Sequence, residues 1–137
     1  MKKVIIAGHG NFATGLYSSV KIILGEQDFV TCLDCYVDKN QNVEKDIESL
    51  LNSFDANDEI ICLTDLFGGS VNNAFMKIIG DRDISLISGT NLNILLNIIL
   101  NADMDNKELI DTYLEESRQG LMDCKMQNKN IEEDEEF

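Results

Sequence analysis

The chain has 137 residues, 44% of them hydrophobic, with 11 basic and 25 acidic side chains and a formal charge of −14. That length suits one domain with a core of its own, and the acidic balance excludes the basic surface that nucleic-acid backbones require. No stretch reaches the ~18 uninterrupted apolar residues of a membrane span, and glycine and histidine interrupt the apolar run after Lys2-Lys3 too early for a secretory signal, so the protein is expected to be cytoplasmic.

Strand and helix patterns alternate along the sequence. Lys2–Ala7 reads as a first strand, and Asn11–Leu24 as a helix with Phe12, Leu16, Val20 and Ile23 on one stripe. Phe29–Cys35 reads as a second strand. Val43–Phe54 follows as a helix whose Val43, Ile47, Leu50, Leu51 and Phe54 share a face. A third strand covers Asp58–Leu63, and a helix over Gly69–Ile79 turns Val71, Ala74, Phe75 and Ile78 inward. Ile84–Ser88 is the fourth strand, Asn91–Leu100 a short apolar helix and Lys107–Met122 the last helix. Strands one and three are near-continuous apolar runs, the mark of strands covered on both faces. The expected fold is therefore α/β: a doubly wound, mostly parallel four-stranded sheet of order 2-1-3-4, with helices on both faces.

Two segments need separate treatment. Glu132-Glu133-Asp134-Glu135-Glu136 is a run of acids that repels itself. An ordered domain is expected over 1–126 and a disordered acidic tail over 127–137. The chain has no proline, which argues against a proline-rich linker to a further domain. Cys32 and Cys35 form a C-x-x-C, but within a strand pattern that sends the two side chains to opposite faces. A redox pair belongs at a helix start. With Cys62 and Cys124 they are read as small apolar fillers in a reducing compartment.

The chemistry concentrates at three turns. His9 is the only histidine and lies between Gly8 and Gly10, where the first strand gives way to a helix. Open α/β sheets place their ligands at that end of the strands. An imidazole there can be a general base, a metal ligand or a nucleophile. One histidine without an acidic cluster disfavours a metal site, and no cofactor is expected. Asp65 follows the third strand, the neighbour of the first in the expected order, so the two side chains should share a rim. A carboxylate that accepts from one ring N–H leaves the other nitrogen free to attack. Gly68-Gly69-Ser70 opens the next helix and offers N–H groups to an anion. It lacks the lysine of a P-loop and is no dinucleotide fingerprint. Gly10 lies in the first turn, and Thr90 and Asn91 lie in a similar one after the fourth strand. These can complete the rim or be plain loop residues. Together these groups point to a transferable phosphoryl group delivered by another protein, since no nucleotide cradle is present.

Three segments carry a family resemblance. Ile5-Ile6-Ala7-Gly8-His9-Gly10-Asn11-Phe12-Ala13-Thr14-Gly15-Leu16 resembles the first motif of the mannose-family EIIA components of the bacterial phosphotransferase system. Leu63-Thr64-Asp65-Leu66-Phe67-Gly68-Gly69-Ser70-Val71-Asn72-Asn73-Ala74 resembles the second, and Ile87-Ser88-Gly89-Thr90-Asn91-Leu92-Asn93-Ile94-Leu95 the third. The resemblance implies a phosphocarrier of the sugar phosphotransferase system. His9 would accept a phosphoryl group from HPr and pass it to a cognate EIIB, which serves the membrane components EIIC and EIID. Asp65 would be the family aspartate, with Gly68, Gly69 and Ser70 its donor turn. Members are usually homodimers, and the seven Leu or Ile among residues 92–100 exceed what one buried helix face needs. The family often has proline after G-G-S, where this chain has Val71. Many relatives fuse EIIA to EIIB, whereas this chain ends in acids, so EIIB is expected to be a separate protein.

Other classes remain open at this stage. The phosphoryl-carrier subunit of dihydroxyacetone kinases shares the fold and an N-terminal active histidine. It ranks second because its first motif is less like His9-Gly10-Asn11-Phe12-Ala13. A receiver domain would need an acidic cluster at the end of the first strand, which is lacking. A structural protein would require His9 and Asp65 to be incidental.

Overall fold

The computed structural model describes residues 1–127 and holds ten elements, of which the first eight alternate between strand and helix and the last two are helices. They are β1 (Lys2–His9), α1 (Phe12–Leu24), β2 (Val30–Cys35), α2 (Val43–Asn52), β3 (Glu59–Thr64), α3 (Ser70–Ile79), β4 (Ser85–Ile87), α4 (Leu92–Leu100), α5 (Asn106–Arg118) and α6 (Cys124–Gln127). The sheet order is β2-β1-β3-β4, and every pairing is parallel. This is the doubly wound sheet the sequence predicts.

Successive residues of a strand point to opposite faces, and the central strands are apolar on both. Val4 and Ile6 of β1, with Ile61 and Leu63 of β3, pack on α1, α4 and α5 through Val20, Leu95, Ile98 and Leu109. Ile5 and Ala7, with Cys62, pack on α2 and α3 through Ile47, Leu51, Val71 and Phe75. Each fully buried Ile or Leu stabilises the fold by about 1.5–3 kcal/mol, so a charge at Ile6 or Ile61 would strike both sheet and helix packing.

The largest differences from the expected element ends fall at three places. β1 continues to His9, because the pairing of His9 with Cys35 and a hydrogen bond from the Gly10 amide to the Cys35 carbonyl (2.8 Å) prolong the ladder. Gly8 stays in the strand; a Cβ there would lie 2.6 Å from Phe12 Cδ1, so the missing side chain is what admits α1. The second helix stops at Asn52, although Phe54 still packs beneath it. The last long helix stops at Arg118, and the chain turns through Gly120 before α6.

Cys32 and Cys35 do face opposite core clusters. Burial pushes their thiols up to about 11, and that of Cys62 up to about 12, so all three stay protonated near neutrality. Cys124 corrects the reading of four fillers: it is exposed on α6. Gln127, the first residue of the expected tail, closes α6, and the rest of that tail lies outside the described residues.

A polar cluster closes the amino-terminal edge of the sheet. Lys2, whose side chain is only 4% exposed, bonds Glu59 Oε1 at 2.6 Å and also Asn106 Oδ1. Glu59 accepts the Asn106 amide through its other oxygen (2.9 Å). Burial pushes the Glu59 carboxyl up, but these bonds and the Lys2 charge outweigh it and hold it below the usual carboxylate range. A buried ammonium needs such partners. The opposite rim is thereby left to the chemistry.

Candidate active site

His9 is the last residue of β1 and Asp65 the first after β3, so the adjacency of the two strands brings them together. Asp65 Oδ2 accepts two hydrogen bonds from His9, one from its backbone N–H and one from ring Nδ1, both 2.8 Å long. In the neutral ring this bond places the proton on Nδ1 and leaves the lone pair on Nε2. Burial raises the Asp65 carboxyl, but the backbone and ring donors and the charge of His9 together bring it below its ordinary value. It therefore stays ionised near neutrality. The other oxygen, Oδ1, is buried without a hydrogen-bond partner among the described residues.

Ser70 completes the contacts of the ring edge. Its Oγ lies 3.2 Å from His9 Nε2, a distance at which the hydroxyl donates to the free lone pair. Gly69 is the N-cap of α3, and no side chain among the described residues caps that helix. Gly68 adopts φ +78°, a left-handed backbone suited to glycine. A Cβ on Gly69 would stand 3.2 Å from the Leu66 carbonyl and 3.5 Å from His9 Cε1. The G-G-S turn thus presses the start of α3 against the imidazole. The amides of Ser70, Val71 and Asn72 have no acceptor among the described residues, as is usual for a first helical turn. They and the helix dipole make this corner receptive to an anion.

The other candidates have prior commitments. Gly10 has its amide bound to Cys35 and serves the turn. Thr90 donates both its hydroxyl (2.7 Å) and its amide (3.0 Å) to the Thr64 carbonyl. Asn91 caps α4 through the Ile94 amide and bonds the Ser117 carbonyl. These bonds tie the Gly10 and Thr90 amides and the Asn91 side chain to the turns they brace. Thr90 belongs to a buried network in which the Thr64 hydroxyl donates to Asn72 Oδ1 at 2.7 Å. That network ties β3, the first turn of α3 and the loop after β4 together directly beneath Asp65.

Sequence reasoning missed Asn72 and Tyr36. Asn72 could have been found as a polar residue beside the inward stripe of α3. Tyr36 has its ring centroid 5.4 Å from that of His9, with the planes 32° apart, and no pattern in the sequence points to it.

The His9 side chain is still 45% exposed, against 13% for Asp65. Leu66, Phe67, Tyr36 and Val37 are exposed in the loops around it. A histidine at the open carboxyl rim of a parallel sheet, held by a carboxylate and faced by a helix start, is an arrangement suited to group transfer with a partner that approaches from solvent. The chain belongs to the mannose-type EIIA family of the phosphotransferase system: residues 3–114 match the family described as "PTS system fructose IIA component". The fructose-specific EIIA component of Bacillus subtilis (strain 168) is 29% identical, over 98% of this chain and 99% of its own length. The mannose-specific EIIAB component of Escherichia coli (strain K12) is also 29% identical, over 86% of this chain, which spans 38% of that longer protein. The solved structure of a phosphotransferase system component EIIA from Streptococcus agalactiae superposes with a TM-score of 0.79 at 31% identity, covering 92% of this chain and 99% of its own. The matched family is the reading ranked first from the sequence, and it implies phosphoryl transfer in sugar uptake. No described helix is long and apolar enough to cross a membrane.

Proposed function

We propose that His9 carries a phosphoryl group on Nε2, taking it from phospho-HPr and giving it to a cognate EIIB. The observation that carries this is the bonding of His9 Nδ1 to Asp65, which leaves Nε2 unprotonated, half-exposed and beside the start of α3. In the forward step the Nε2 lone pair attacks phosphorus. The bond from phosphorus to the donor's ring nitrogen breaks, and its electron pair returns to that ring. His9 becomes positively charged, and Asp65 stabilises it. The Ser70 hydroxyl turns from Nε2 to the phosphoryl oxygens, together with the amides of the G-G-S turn. Transfer to EIIB repeats the exchange in the other direction.

The exposed Tyr36, Val37, Leu66 and Phe67 offer apolar area around His9 for a protein partner. Thr90 and Asn91 act through the loops they brace. The reading places the protein in the cytoplasm, upstream of EIIC and EIID. It also includes a homodimer, for which the structure offers a groove of about 390 Å³ between α1 and α4, lined by Ile23, Leu24, Leu92, Leu96 and Leu100. Incubation with phosphoenolpyruvate, enzyme I and HPr tests the assignment. An acid-labile phosphoryl adduct should form on the parent and be absent from His9→Ala; an equally labelled His9→Ala would refute it.

A further inference from the structure

Tyr36 follows directly on β2 and is the one non-glycine among the described residues with a positive φ, +63°. A side chain with a Cβ is strained in that left-handed region. Burial does not repay the strain, because Tyr36 is 53% exposed. Its hydroxyl makes no hydrogen bond among the described residues.

The surrounding loop holds the strained residue in place. Gln41 Nε2 donates to the Asp34 carbonyl at 3.1 Å, and Gln41 Oε1 accepts from the Val37 amide at 3.3 Å. One side chain thus clamps the backbone on both sides of Tyr36. The clamped ring lies against the His9 imidazole, 5.4 Å between centroids and 32° between planes. The imidazole is held along its edges by Asp65 at Nδ1 and Ser70 at Nε2, with Gly69 near Cε1. A ring free to turn about its last bond would lose both edge contacts at once.

We infer that Tyr36 is a positioning residue that packs on the His9 ring, keeps Nε2 directed at Ser70 and shields the phosphoryl adduct from water. The inference rests on the reading of His9 as the phosphoryl carrier. Unproductive loss would put a water oxygen on phosphorus and break the P–N bond, with its electron pair returning to Nε2 and inorganic phosphate released. A positioned ring slows that loss by limiting water at the phosphorus. The contact needs an aromatic face and not a hydroxyl, so phenylalanine should replace tyrosine.

The test uses the full chain, labelled through enzyme I and HPr and then freed of both. Tyr36→Ala should shorten the lifetime of the phosphoryl adduct about fivefold, the size of one lost aromatic contact, and Tyr36→Phe should restore it. Tyr36→Gly relieves the backbone strain, so it should melt no lower than the parent and yet show the same short lifetime. That outcome separates positioning from stability. A lifetime within twofold of the parent's for both Tyr36→Ala and Tyr36→Gly would overturn the inference. A second reading does not need the phosphoryl group: the single histidine gives one set of ring-proton signals in the unlabelled protein. Those signals should shift in Tyr36→Ala and not in Tyr36→Phe. If the parent takes no label, the carrier reading fails by itself, and the contact is judged on these signals, with an unshifted Tyr36→Ala spectrum overturning it too.

Discussion

One oxygen of Asp65 receives both the backbone N–H and the ring Nδ1 of His9, each at 2.8 Å. The carboxylate therefore fixes the position of the residue and the tautomer of its ring through the same atom. Asp65→Asn keeps the shape but removes the charge that stabilises a positively charged ring. Phosphoryl transfer from HPr should slow by at least about a hundredfold, with an unchanged far-ultraviolet circular dichroism spectrum. Rates equal to the parent's would reduce Asp65 to a turn residue.

The same carboxylate sets a pH dependence. Asp65 and Glu59 both lie below their ordinary values in the folded protein. A lowered folded value means stability that is complete above the unfolded value and lost as pH falls through the folded one. The unfolded values here are about 3.8 and about 4.5, so the loss begins below about pH 4.5. Urea midpoints should be flat in this respect above pH 5 and fall below pH 4.5. Asp65→Asn and Glu59→Gln should each flatten part of the fall, and an identical acid limb in both variants would contradict the assignment.

Glu59→Gln also leaves the Lys2 ammonium without its counter-charge. Glu59 is itself 40% exposed, so the cost at pH 7 should be about 2 kcal/mol, less than for a fully buried pair. Chemical denaturation of the variant measures it. The phosphorylation rate should not change, because this cluster lies at the opposite end of the sheet from His9.

How far the sequence disclosed the site follows from what each residue depends on. The strand order and the meeting of His9 with Asp65 were legible, because continuous apolar strands and short turns leave few topologies. The roles of Gly10, Thr90 and Asn91 were not. Whether a loop donor is free depends on which carbonyl lies opposite, here those of Cys35, Thr64 and Ser117. Tyr36 was invisible for a related reason: its backbone conformation is imposed by Gln41 from across the loop, and no local pattern encodes it.

Thr90 gives a test of the buried network. Thr90→Val removes the hydroxyl bond to the Thr64 carbonyl and should cost about 1 kcal/mol of stability. Because Thr64 precedes Asp65, it should also slow phosphoryl transfer several-fold. An unaltered transfer rate would confine Thr90 to stability.

The largely apolar groove between α1 and α4 leaves Leu100 exposed. If two copies meet there, sedimentation should give about twice the 15.4 kDa of one chain. Leu100→Glu should shift the parent toward the single-chain mass. A parent already at 15.4 kDa at micromolar concentration would refute the dimer.

The Asp65 bond to Nδ1 decides which His9 nitrogen can take the phosphoryl group. Nitrogen magnetic resonance of the ¹⁵N-labelled protein, phosphorylated through enzyme I and HPr, reads it directly, since His9 is the only histidine. The phosphorus coupling should fall on Nε2, with Nδ1 still carrying the proton held by Asp65. Coupling to Nδ1, or a phosphoryl group on any other residue, would contradict the account.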